Sequence, residues 1–424
     1  FLKIKMSKIF EDHIFFCIGI FLIILALSSP WFNLTVSSHD FVKTYFASIG
    51  ISFLMLMSYY FKLNKPLNTL KINYLKLSLL AIFVYGAFSI FWSINFDFTL
   101  NKLLMWLITA FSFLLALNLS LSRENLIKLA WYLIITAGAI SFIGILQYYF
   151  DPFTLTQAVS PASTFGNKNM AIQPLVLIIP FCLFLLLSKD LTGIKVWILL
   201  GITSIIISYV VFSESRAAWL SIFVEVVCVA FYFMINRTKL PVWFDWNRNK
   251  FYASIIAILI SLILINISNS DESGSISLVN NFANISETIA SSGGSQDTGS
   301  TERFQIWKTA FKMVSDSPIY GTGLGSYSHN LANEGYATWN INNTIRVHND
   351  LLELAVELGA LGIILFTVVS ISIIGSILII LRHTTDEIHL FFSLIFIALI
   401  GSFVNMQFSF PYQLAFPLLI FGLF

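Results

Sequence analysis

The chain has 424 residues, of which 57% are hydrophobic and 11% charged, with a formal net charge of +2. Soluble domains carry about a quarter charged residues, so this composition excludes one. A charge so near zero gives no signal for nucleic acid, and none is expected as a partner. Apolar runs of about 17 to 25 residues recur along the whole length, the signature of transmembrane helices. The short alternating segments of a membrane β-barrel are missing from the pattern. The expected fold class is therefore all-α, a polytopic integral membrane protein.

The opening FLKIKMSKIF makes Met6 the expected native start, and the apolar run after it reads as a retained span. Twelve helices are expected, near 13–29, 41–61, 75–92, 102–121, 126–149, 170–188, 195–212, 217–235, 251–267, 350–381, 387–408 and 410–424. If the N-terminus is cytoplasmic, eight of the 24 Lys and Arg fall on the outer side: Lys43, Lys102, Lys168, Arg216, Arg303, Lys308, Lys312 and Arg346. The excess on the inner side follows the positive-inside rule. Cys17, Cys182 and Cys228 all lie within apolar runs and read as small core residues.

One connection is long, and it divides the chain into helices over 1–266, an outer loop over 267–349 and helices over 350–424. The first part of the loop is rich in Ser, Gly and Asn, with little to bury, and is expected to be flexible. The second part, TERFQIWKTAFKMVSDSP, spaces Phe304, Trp307, Phe311 and Val314 along one helical face. An amphipathic helix near 301–315 is expected there, capped by Ser300 or Thr301, lying on the membrane or packed over the bundle.

Four stretches carry candidate chemistry. In GNKN, Lys168 and Asn169 open a helix whose N-terminal amides would suit an anion; an ordinary polar turn is the plainer alternative. SESRAAWL is a very short outer turn, so Arg216 must lie near the membrane surface, where ionisable groups tend to face a cavity or ligand. Glu214 could hold its guanidinium in place. In PIYGTGLGSY, Gly321, Gly323 and Gly325 lack the strand and spacing of a nucleotide fingerprint and are expected to permit tight turns and close backbone approach. His329 is a weaker candidate. In RVHNDLLE, Asp350 is expected to cap the next helix, with Glu353 three residues on. Beside a helix N-terminus the dipole disfavours imidazolium, and a neutral histidine can accept a proton. His348, with Asn349 next to it, is therefore either a general base or a histidine satisfying loop backbone. No Cys/His spacing resembles a zinc site, and no metal or other cofactor is expected.

Taken in order, SESR, TERFQIW, PIYGTGLGSY and VHNDLLELAVELGALG resemble the O-antigen ligase/polymerase superfamily, polytopic bacterial inner-membrane glycosyltransferases. The resemblance implies a glycan donor on undecaprenyl diphosphate and transfer on the periplasmic face, without metal. It implies that Arg216 and Arg303, with Lys168, bind the diphosphate, and that His348 orients or deprotonates the acceptor hydroxyl. A planar guanidinium suits this task because it donates bidentate, charge-assisted bonds and stays ionised. Three activities share these motifs: ligation to lipid A-core, protein O-glycosylation and polymerisation of O-units. A single long outer loop before the histidine favours the ligase. Members that glycosylate proteins often carry a soluble domain after the last span, and the chain stops at Phe424 within an expected helix. A polysaccharide flippase or transporter is the rival from another class; it should show repeated halves with broken helices and mid-membrane charges.

Overall fold

The computed structural model describes residues 2–31, 38–62, 74–119, 122–153, 155–237, 248–266, 298–333 and 346–424. Its helices, in chain order, are α1 (Leu2–Leu27), α2 (Ser38–Lys62), α3 (Tyr74–Phe88), α4 (Phe96–Asn118), α5 (Arg123–Tyr149), α6 (Lys168–Ile178), α7 (Pro180–Leu187) and α8 (Ile194–Phe212). There follow α9 (Arg216–Asn236), α10 (Arg248–Asn266), α11 (Thr298–Asp316), α12 (Tyr327–Asn333), α13 (Asp350–His383), α14 (Asp386–Asn405) and α15 (Ala415–Leu423). Single 3-10 turns occupy Ser89–Phe91 and Pro411–Gln413. The described residues form no strand, only one bridge between Val159 and Asn167. The loop's Ser/Gly/Asn-rich first part lies outside the described residues.

Nine helical segments among the described residues are long and apolar enough to cross a membrane, with α6 and α7 acting as one of them. Two shorter apolar stretches, His13–Leu27 in α1 and Asn249–Ile263 in α10, accompany them. The expected twelfth helix, 410–424, is instead the 3-10 turn followed by the nine-residue α15. The chain is thus an all-α, multi-pass membrane protein.

Local chemistry explains where the helices begin and break. Asn95 caps α4 by accepting from the Phe98 amide at 3.1 Å. The helix therefore starts six residues before the expected position, and Lys102 sits buried inside it rather than in an outer loop. Lys43 is likewise buried, in α2. Its ammonium donates to the Leu25, Ala26 and Ser28 carbonyls at 3.2, 3.0 and 2.6 Å, closing the open C-terminal end of α1. The expected helix over 170–188 divides at Pro180, which lacks an amide proton and takes the first position of α7.

Packing brings the turns to two ends. At one end Arg123 bridges Asp190 (2.7 Å) and Glu387 (3.0 Å), and Lys250 donates to the Ser188 carbonyl at 2.8 Å. At the other, buried Tyr209 of α8 donates to the Pro161 carbonyl at 2.8 Å, which anchors the 151–167 loop. Thr99 of α4 donates to Leu324 at 2.7 Å, and the Tyr412 amide donates to Asp350 at 2.9 Å. Between lipid-like surfaces helix association rests on close packing and hydrogen bonds rather than on expelled water. These contacts are therefore what align the second end, and all the candidate residues lie there.

Candidate active site at one end of the bundle

His348 lies in a loop held from both sides. Asn349, not Asp350, caps α13, accepting from the Leu352 amide at 3.0 Å. The expected cap was one residue late because both side chains are able to cap and Asp350 is engaged elsewhere. Its amide donates to the Met406 carbonyl at 3.0 Å, and its carboxylate accepts from Tyr412. Glu353 folds the loop back: it accepts from the Val347 amide at 3.0 Å and from Arg346 at 3.2 Å. Arg346 also donates to Gln413 at 3.2 Å. Between these anchors His348 takes a φ of 57°, a left-handed conformation uncommon outside glycine.

The imidazole stands edge-on to Phe410, with centroids 5.2 Å apart. Burial pushes its pKa down to about 4, Arg303 and Arg346 add to that, and Glu353 opposes them. Neutrality at pH 7 follows from desolvation and neighbouring cations, in that order. Burial works against the Arg346 charge, but Glu353 with Asp40 and Glu357 more than offsets it and holds the guanidinium above its ordinary range.

Helix α11 delivers Arg303 to this loop. Its buried face is Ile306, Ala310 and Met313, packed against Tyr327, Leu331, Val347, Leu352 and Val356. This differs from the expected stripe: Phe304 and Phe311 are 66% and 60% exposed, and Trp307 and Val314 form the margin. Two apolar stripes share the helix, and the one with the smaller side chains allows closer approach. Arg303, about one turn before Ile306, is half-buried and within electrostatic reach of His348.

The three glycines do approach backbone closely. Their φ values are 68°, 100° and 77° for Gly321, Gly323 and Gly325. The Gly323 amide donates to the Glu357 carbonyl at 2.8 Å, and the Thr322 amide to Val356 at 2.9 Å. Those carbonyls are open because α13 breaks its helical geometry at Gly359, with φ 63° and ψ −161°. A Cβ on Gly323 would lie 2.5 Å from Ser93, and one on Gly325 2.7 Å from the Phe98 carbonyl. His329 on α12 lies beside Phe98, 6.1 Å between rings.

A second arm comes from α6 and α9. Asn167 caps α6 through the Asn169 amide at 2.8 Å. Lys168 pairs with Glu214 at 3.2 Å, so Glu214 engages the lysine of α6 across the gap to α9. Arg216 opens α9 and is exposed. About one and a half turns into α6, Gln173 donates to Ser409 at 2.7 Å. Ser409 precedes the Phe410 that packs on His348, so the 406–413 turn joins both arms. Sequence reasoning missed this turn and the buried residues beneath it, Lys102 and Glu357. The polar PYQ within FSFPYQ was the signal for Tyr412 and Gln413.

Among the described residues, no group of three or more His, Cys, Asp or Glu stands together where it could hold a metal ion. The fold and site define a multi-pass membrane protein that gathers arginines, a lysine and a neutral histidine at one end of its bundle. Residues 201–367 match the family model Wzy_C, described as O-antigen ligase, so this part of the chain is similar to that family. The matched segment includes Glu214, Arg216, Arg303, the three glycines and His348 through Asp350; Lys168 and Asn169 lie before it. No curated protein matches the chain.

Proposed function

We propose that the protein transfers a glycan en bloc from undecaprenyl diphosphate to lipid A-core on the periplasmic face of the bacterial inner membrane. The observation that carries this reading is the neutral His348 set beside Arg303 and Arg346. His348 takes the proton of the acceptor hydroxyl as its oxygen bonds to the anomeric carbon. The bond from that carbon to the diphosphate breaks, and its electron pair leaves with the phosphate oxygen. Arg216 and Arg303, with Lys168, stabilise the charge that develops there, an electrostatic task for pre-placed donors. With base and leaving group on opposite faces, the anomeric centre inverts. Gly321, Gly323 and Gly325 hold the loop against α13, while Asn349 and Asp350 fix the helix start beside the base.

Purified protein is assayed with glycan-loaded undecaprenyl diphosphate and three separate acceptors: lipid A-core, a second lipid-linked unit and a periplasmic protein. Transfer to lipid A-core is expected, and it persists in EDTA. Transfer only to protein or to the second unit would replace the acceptor assignment. Strict dependence on a divalent ion would overturn the metal-independent mechanism.

A further inference from the structure

The fully buried residues of α9 are Ala218, Ser221 and Glu225, a single stripe at i, i+3 and i+7. The helix packs on α14, and α6 lies against both. Ala218 and Ser221 are small enough to let the helices approach closely. Glu225 is the one acid in α9 and stands nine residues beyond Arg216, about 14 Å along the helix. An ionisable group at that depth is costly, and such groups mark ion sites and pathways.

An added Cβ on Gly401 would collide with the Glu225 carboxylate, so the carboxylate lies directly against α14 at that residue. Asn405 is one turn further along the same face. Helical side chains lean toward the N-terminus, which brings its amide back over the Gly401 position. On α9, Ser221 lies one turn before Glu225; its hydroxyl donates to the Ala217 carbonyl at 2.8 Å and its oxygen can still accept. Gln173 of α6 donates to Ser409, four residues beyond Asn405.

Glu225, Asn405 and Gln173 are 3%, 1% and 2% exposed. Among the described residues, both Glu225 oxygens, both polar atoms of the Asn405 amide and the Gln173 carbonyl oxygen have no hydrogen-bond partner. The carboxylate and the Asn405 amide thus share one turn of one interface without bonding each other. The orphaned groups are four acceptor oxygens against a single donor. Water brings acceptors together with its donors, whereas a cation brings only positive charge, so the surplus of oxygens matches a cation. One carboxylate sets its valence, because a divalent ion would leave net charge buried. Hard oxygen donors without thiolate or imidazole select an alkali ion over a transition metal.

We propose that Glu225 and Asn405, with Ser221 and Gln173 beside them, form a binding site for sodium between α6, α9 and α14. The site also bears on the His348 loop. Asn405 precedes Met406, whose carbonyl accepts from the Asp350 amide at 3.0 Å, and the turn that follows carries Phe410. An ion held by Asn405 therefore steadies the turn against which His348 rests.

The test is binding, with no transfer step in it. Protein in nanodiscs of zwitterionic phospholipid is titrated with radioactive sodium, and melted in sodium chloride or choline chloride at equal ionic strength. A single sodium per chain is expected to bind saturably in the unmodified protein, a readout independent of any variant's folding. Sodium raises Tm progressively above its Kd, as a ligand of the folded state must, and choline does not. Glu225→Gln and Asn405→Leu each weaken sodium at least about tenfold, the loss of one good ligand. In choline medium Glu225→Gln melts at the wild-type temperature or above, which separates lost binding from lost fold. No saturable sodium binding, as when Glu225 simply carries a proton, would overturn the proposal. So would undiminished binding in Glu225→Gln, or a Tm that choline raises as much as sodium. Absence of transfer to every acceptor, with sodium binding intact, would instead sink the transferase reading alone.

Discussion

The indole of Trp307 donates to the Val347 carbonyl at 3.1 Å, tying the helix that carries Arg303 to the residue before His348. Two groups separated by 45 positions in the chain are thereby held in one electrostatic neighbourhood. Trp307→Phe keeps an aromatic ring near Phe408, 6.5 Å away between centroids, but removes the donor. A net hydrogen bond is worth about 1 kcal/mol, so a small fall in Tm is expected. Transfer is expected to fall about tenfold as the His348 loop loosens. A wild-type rate in this variant would show that the tether does not position the base.

His348→Ala is expected to lower the transfer rate by about 10² to 10⁴, the usual contribution of a general base, with the fold retained. The pH profile adds a second measure. With a pKa of about 4, the base is neutral throughout the range above about pH 5, so the rate stays flat there and falls only in stronger acid. The Arg303 charge is the second cause of the depression. In Arg303→Gln the acid limb of the residual activity should therefore move to higher pH. Stability follows the same sign. The unfolded histidine takes up a proton near pH 6.5 and the folded one near 4, so this contribution is complete above 6.5 and is lost as pH falls toward 4. A limb that stays in place without Arg303 would refute the coupling.

Arg216→Ala and Arg303→Ala are each expected to abolish or nearly abolish transfer. Lysine in either place should restore little, since an ammonium cannot make the bidentate fork. Size-exclusion behaviour and Tm like the wild type's would separate this loss from misfolding. Full activity in either lysine variant would argue for a charge requirement alone.

Gly323→Ala is expected to lower Tm markedly, because the residue holds a φ of 100° and its Cβ would stand 2.5 Å from Ser93. Left-handed strain and a backbone clash act together there. Gly201, in α8 with nothing within 4 Å of an added Cβ, is the control. Gly201→Ala should leave Tm unchanged or raise it. Equal effects at the two positions would contradict the packing described here.

Glu225 lies mid-way along α9, 3% exposed, and neither carboxylate oxygen has a hydrogen-bond partner among the described residues. It packs on Gly401 of α14, where an added Cβ would collide with the carboxylate. Glu225→Gln should be neutral or stabilising, since it replaces an ionisable group in a costly place with an amide of the same shape. Gly401→Ala should destabilise. A large loss of Tm in the glutamine variant would mean that the carboxyl makes an interaction its amide cannot replace.

The class of the protein and the approximate position of most spans could be read from apolar run length, because the bilayer sets a minimum length that no folding detail changes. The candidate motifs were also legible. The close approach expected of Gly321, Gly323 and Gly325 is present, because only glycine tolerates those φ values and that proximity. Less could be read where two residues compete for one local role. Asn349 and Asp350 are both able to cap α13, and only the tertiary bond from Tyr412 to Asp350 decides between them. The apolar stripes of α11 compete in the same way, and the loop beneath the helix selects Ile306, Ala310 and Met313. Glu214 was expected only beside Arg216, and the placement of α6 beside α9 brings Lys168 to it as well. Run length and local residue chemistry determined that this chain crosses a membrane and which polar residues stand near its surface. Partner choice required the folded chain, since the free energy of a charge or a cap depends on what distant segments bring within about 3 Å of it.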